Sequence, residues 1–174
     1  MKSYAPVMIP ELPPVAETWP AFSPDKQVVE VFPRNDESLL LIHKKRGFGA
    51  GKVCGPGGHI EPGETPEEAA IRETEEEVGI RLTKPSRMAL LQFRFTDGLS
   101  FELHAFVADT WTGTLTETDE ALPFWQTIDR LPYARMWADA RSWLPVILDG
   151  RRVRGRFLFD EEVMLFSQLA ASVP

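Results

Sequence analysis

The chain holds a single cysteine, Cys54, so it cannot form an internal disulfide, and this fits a reducing compartment such as the cytoplasm. It has no uninterrupted apolar run near the ~20 residues that a membrane-spanning helix needs. Its first residues, MKSYAPVMIPELPP, are broken by proline and glutamate and lack the apolar centre of a secretion signal. Basic residues are the minority, 19 Lys and Arg against 26 Asp and Glu. A net charge of −7 disfavours binding to a nucleic-acid polymer, which needs clustered positive charge. An acidic protein can still bind a small polyphosphate when a divalent cation comes with it.

At 174 residues and 43% hydrophobic, the chain suits one folded domain with a real core. Six of the fifteen prolines fall in residues 1–26, at Pro6, Pro10, Pro13, Pro14, Pro20 and Pro24. Proline is excluded from helix interiors and central strands, so 1–26 reads as an N-terminal arm and 27–174 as the domain. Val28–Phe32 and Ser38–Lys44 read as strands, separated by the turn-like Pro33-Arg34-Asn35-Asp36. Six glycines make Lys45–Gly58 a loop with close backbone approaches. Met88–Phe95 and Ser100–Ala108 read as strands around the turn Thr96-Asp97-Gly98. Pro123–Ile128 and Arg151–Phe159 are further strands, and Trp137–Leu148 and Glu161–Ala171 are expected as helices.

The densest signal lies between Glu64 and Gly79. Seven carboxylates (Glu64, Glu67, Glu68, Glu73, Glu75, Glu76, Glu77) face a lone Arg72 there. Thr65, Pro66 and Glu68 spell a helix start with a capping box, and Gly79 a helix stop. On that helix Glu73, Glu76 and Glu77 share a face through i, i+3 and i+4 spacing. Such oxygens suit Mg²⁺, with Mn²⁺ as a substitute, because a hard ion wants oxygen ligands. A cation there can bridge phosphate oxygens and lower the pKa of a water. Arg72 can pair with the neighbouring carboxylates and hold them. A solvated acidic face would explain the charge but not the glycine-rich approach or the Arg-Glu and Glu-Glu spacing.

The spacing G-x5-E-x7-R-E-x-x-E-E-x-G, from Gly58 to Gly79 and followed by Ile80, resembles the Nudix hydrolase signature. The likeness extends through Lys44–Lys52, Asp119-Glu120, Phe124-Trp125, Met136–Asp139 and Trp143 to the MutT-type branch, including its oxidised-purine triphosphatases. It implies an α+β Nudix fold, a mixed sheet sandwiched between helices with a loop–helix–loop catalytic motif. It implies metal ligation by Glu73, Glu76, Glu77 and the Gly57 carbonyl, and a catalytic role for Arg72. Glu76 and Glu120 both stand as candidates for the general base. It places Lys44 near the phosphates and Phe48, Cys54, Phe93, Phe101, Trp137, Asp139 and Trp143 around the base.

Taken alone, the tryptophans could be ordinary core residues, and His104 reads as a strand residue rather than a ligand. The chain departs from the pattern at Thr74, where an aliphatic residue is usual, at Cys54, where relatives carry Asn, and at Ala140, where they carry a second Asp. The reaction implied is hydrolysis of a nucleoside triphosphate, most readily a purine one, to the monophosphate and pyrophosphate. Hydrolysis of a sugar nucleotide or dinucleoside polyphosphate, or nucleotide binding without turnover, are the alternatives.

Overall fold

A computed structural model describes residues 22–172. The arm expected over residues 1–26 therefore lies outside the described residues except for its end. That end is tied to the domain: Asp25 accepts from the backbone N–H and hydroxyl of Ser100 at 2.9 and 2.8 Å.

The main sheet has six strands in the order β11-β10-β6-β7-β1-β4. These are Lys26–Pro33 (β1), Gly57–His59 (β4), Ser86–Phe95 (β6), Ser100–Ala108 (β7), Val153–Asp160 (β10) and Val163–Ala171 (β11). β1 runs parallel to β7 and β10 parallel to β6, while the other pairs are antiparallel, so the sheet is mixed. Ser38–Lys44 (β2) lies between Val53–Cys54 (β3) and Ala121–Thr127 (β9) in a second sheet. Ile80–Leu82 (β5) pairs with Trp111–Gly113 (β8). Among the described residues no helix is long and apolar enough to cross a membrane.

Two helices, Pro66–Val78 (α1) and Ala140–Leu148 (α2), pack with two apolar clusters. Strand alternation assigns residues to them. Val29 and Val31 of β1 join Ala69, Ala70 and Val78 of α1, while Phe32 joins Trp143, Leu144 and Ile147 of α2. β2 has Leu40 and Ile42 in the first cluster and Leu39 and Leu41 in the second, which explains its unbroken apolar run.

α1 begins and ends where its residues require. The Thr65 hydroxyl accepts from the Glu68 N–H at 3.2 Å, and the Glu68 carboxylate accepts from the Thr65 N–H at 2.8 Å. Gly79 closes the helix at φ 77, where a side chain would meet the Thr114 carbonyl. Thr74, the departure from the aliphatic pattern, is fully buried. Its hydroxyl donates to the Ala70 carbonyl at 2.7 Å, so no polar atom is stranded there.

Three expectations need correction. The helix expected over Glu161–Ala171 is strand β11, paired along β10 from Val153↔Ala171 to Asp160↔Val163. Leu, Met, Gln and Ala make that segment helix-competent, but the open edge of β10 captures it, and Glu161 takes a left-handed turn at φ 51. The expected loop Lys45–Gly58 contains β3 and the start of β4. The helix expected from Trp137 begins at Ala140, because Trp137–Asp139 form a turn that faces the site.

Thr65→Ala removes one half of the capping box. It is expected to lower folding free energy by about 1 kcal/mol in chemical denaturation, without moving the far sheet edge.

Candidate active site

The glycine-rich segment lies against both β1 and α1, and this brings the acidic helix face to the open side of the sheet. A side chain at Gly57 would strike the Val29 carbonyl, and one at Gly58 would occupy the space of the Glu73 carboxylate. Beside them opens a cavity of about 740 Å³. It is lined by every residue singled out above as catalytic, metal-ligating or substrate-binding. These are Lys44, Phe48, Cys54, Gly57, Arg72, Glu73, Glu76, Glu77, Phe93, Phe101, Glu120, Trp137, Asp139 and Trp143.

The acidic end is organised by two cations of the chain. Arg72 donates to Glu64 through Nε and Nη2 at 2.8 Å each, to Glu73 at 2.8 Å, to Glu76 at 3.2 Å and to the His59 carbonyl at 3.0 Å. The side-chain hydrogen bonds it donates to Glu64 are the largest cause that holds its guanidinium charged. Arg72 therefore holds Glu64, Glu73 and Glu76 together. Glu77 accepts from the Gly57 N–H at 2.9 Å and pairs with the Lys44 ammonium at 3.4 Å. Burial raises the Glu77 pKa above the usual carboxylate value even though Lys44 opposes it. Burial lowers the Lys44 ammonium, but Glu77, Cys54 and Glu120 together carry it above its ordinary value. Glu120, on the loop before β9, pairs with Arg46 and borders a second cavity of about 260 Å³ with Glu73, Glu76 and Glu77.

The oxygen-only donor set suits a hard divalent cation: Gly58 leaves the space that the Glu73 carboxylate fills, and that carboxylate borders the second cavity. Among the described residues, no three carboxylate, imidazole or thiol groups already converge as a metal cage. Arg72 and Lys44 hold Glu73 and Glu77 instead. Glu73, Glu76 and Glu77 thus share one cavity without converging as a cage, because the chain's own cations hold them.

The other end is aromatic. Phe48 stacks on Trp137 with centroids 5.2 Å apart and planes 6° off parallel, and Lys52 sits 4.8 Å over the same indole. Phe93 stacks on Phe101 at 4.7 Å. Phe48 is 51% exposed, at the tip of the glycine loop, whereas Trp143 is 1% exposed. Trp143 is a core residue whose indole N–H donates to Asp139 Oδ2 at 2.7 Å. Asp139 stands at the head of α2 but makes no capping bond, because its carboxyl is turned to Trp143. Burial raises its pKa from the ordinary 3.8 to about 6, against the Trp143 bond. Burial also pushes the Cys54 thiol up, so it stays protonated rather than acting as a nucleophile. His104 is buried in β7 beside Arg87 and does not line the cavity.

Sequence reasoning missed Glu30, Phe95 and Phe159 in the lining. The signal for Glu30 was available: it is a lone acid in the apolar run Val28–Phe32. Phe159 reaches the cavity only because β10 lies beside β6, and no local pattern announces that pairing.

A Nudix domain matches residues 24–147 of the chain. The chain belongs to the Nudix family. It is 42% identical over 123 residues to the oxidized purine nucleoside triphosphate hydrolase of Danio rerio, covering 70% of this chain and 79% of that one. It is 36% identical over 132 residues to the protein of the same name from Mus musculus, covering 75% and 85%. The MutT protein of Bacillus halodurans shares the fold with a TM-score of 0.76 at 24% identity, over 83% of this chain and 97% of that chain. In this Nudix hydrolase the family motif coincides with the acidic end of the cavity.

The buried Asp139 carboxyl gives a pH signature. Its folded pKa lies above its unfolded one, so the folded state binds the proton more tightly. The stability this contributes is fully present below about 3.8 and is lost as pH rises through about 6. A rise from 3.8 to about 6 corresponds to about 3 kcal/mol. Asp139→Asn keeps an oxygen for the Trp143 N–H and cannot ionise. Denaturation of metal-free protein should show the variant gaining on wild type by about this amount between roughly pH 4 and pH 8. A difference that stays flat with pH would refute the assignment.

Proposed function

We propose that the chain hydrolyses a purine nucleoside triphosphate, oxidised or not, to the monophosphate and pyrophosphate, with Mg²⁺ as the natural cation. One observation carries the reading: an acidic cleft and an aromatic slot form the two ends of a single cavity. Nucleoside triphosphates have that shape and polarity, with a flat base at one end and chelated phosphates at the other. The names of the animal relatives support the same substrate class.

The roles follow from the contacts. Trp137 and Phe48 offer faces on which a base can stack, an interaction worth ~1–3 kcal/mol per base. Lys44, beside Glu77, brings positive charge toward the phosphates. Arg72 keeps Glu73 and Glu76 oriented through the network described above. Glu73, Glu76, Glu77 and the Gly57 carbonyl would hold the cation, which when bound neutralises phosphate charge and makes a water easier to deprotonate. The proton of the attacking water passes to Glu76 or Glu120, both of which border the cavity. The new P–O bond forms in line with the one that breaks, and the leaving oxygen carries its electron pair away with the departing phosphate product. With one cysteine and no disulfide, the enzyme is suited to the cytoplasm.

The test is product identification with dGTP and 8-oxo-dGTP in Mg²⁺, with and without chelator. The expected products are the nucleoside monophosphate and pyrophosphate. Turnover restricted to sugar nucleotides or dinucleoside polyphosphates, or tight binding without turnover, would overturn the reading. Glu77→Gln should lower kcat by about a hundredfold or more, a barrier increase of about 3 kcal/mol. Its melting temperature should not fall, since burial already disfavours the charge of Glu77. Full turnover by this variant, or by wild type in excess chelator, would contradict the metal assignment.

A further inference from the structure

The floor of the cavity carries a carboxyl that the mechanism above does not use. Glu30 lies in β1 between Val28 and Phe32, both packed on the α2 side. It lines the same cavity as Cys54, Asp139 and Ala140. The Gly55 N–H donates to its Oε1 at 2.9 Å, and no other hydrogen bond reaches the carboxyl among the described residues. Asp139 is in a similar condition. Its Oδ2 is taken by Trp143, while Oδ1 is buried with no hydrogen-bond partner. Asp139 itself is 3% exposed.

A buried acceptor left without a donor is costly. Asp139 Oδ1 is such an oxygen, and the partly exposed Glu30 carboxyl, held by the Gly55 N–H alone, borders the same cavity from a different element; when ionised neither satisfies the other, since both are acceptors. They become satisfied when a ligand brings donors. Beside Asp139 in the chain, position 140 offers only the methyl group of Ala140, and the second carboxyl bordering the cavity comes from β1.

We propose that Glu30 is a specificity-determining residue: with Asp139 it accepts hydrogen bonds from the donor edge of a guanine-type base. That edge, in guanine and 8-oxoguanine alike, offers N1–H and the exocyclic amine. Adenine presents a bare N1 lone pair in the corresponding place, which two carboxylate oxygens repel. The inference rests on the triphosphatase reading and adds to it which base edge the site selects. A pocket built to meet N–H groups rejects a base that lacks them far more strongly than an apolar pocket does.

The experiment compares kcat/KM for dGTP, 8-oxo-dGTP and dATP in the full-length wild type, Glu30→Gln and Glu30→Val, at fixed Mg²⁺. Gly55 will hold the amide oxygen of a glutamine at this position, which turns its NH₂ toward the cavity as a donor. The wild type is expected to prefer both guanine nucleotides over dATP. Glu30→Gln should reduce that preference by at least about tenfold, mostly through KM, and should improve dATP. Glu30→Val should reduce it without improving dATP. Neither variant should melt below the wild type, because each removes a buried ionisable group. If the glutamine variant does not fold, the valine variant reads the same ratio. Base preference unchanged in the folded variants, or a wild type that already favours dATP, overturns the proposal. A wild type that cleaves no purine triphosphate at all overturns the triphosphatase reading first and this inference with it.

Discussion

Arg72 is hydrogen-bonded to three glutamates and a backbone carbonyl, and α1 could not otherwise carry so many like charges on thirteen residues. Glutamates one turn apart repel. The guanidinium fork offsets that repulsion with donors set in a rigid plane, which a lysine could not do. The same contacts tie the helix to the segment before it, through Glu64 and the His59 carbonyl. The acidic face is thereby held rather than splayed into solvent. The glycines opposite complete the constraint, because only a backbone without side chains can approach Glu73 this closely.

The two ends of the cavity obey different physics. At the acidic end Glu76 is exposed, Glu120 partly exposed and Glu77 buried, and Arg72, Arg46 and Lys44 respectively pair with them. At the aromatic end the carboxyls are enclosed, and burial dominates their titration: Glu30 is raised to about 7 and Asp139 to about 6. A charge there is tolerated only when donors meet it. Under the proposed function, catalysis and base selection would fall at opposite ends of this cavity, and Cys54 and Ala140 line it together with Glu30 and Asp139.

The sequence by itself determined α1, from its Thr65 cap to its Gly79 stop, because caps and carboxylate spacing act within a few residues. The strands β1, β2, β6, β7 and β9 were legible for the same reason, since alternation and turn residues are local signals. The family motif, with the wider likeness around it, named residues that line the cavity, from Lys44 to Trp143. Only the tertiary structure decided what depends on distant pairing. β11 is a strand because β10 offers it an edge, against the helical leaning of its own residues. Trp143 borders the cavity but is buried and holds Asp139 rather than standing open as a stacking surface, which requires knowing how far α2 is buried. Glu30 becomes a neighbour of Cys54 and Asp139 only when β1 is laid beside β4 and under α2. A lone acid in an apolar strand is visible in the sequence, but what it faces is set by packing across the whole sheet.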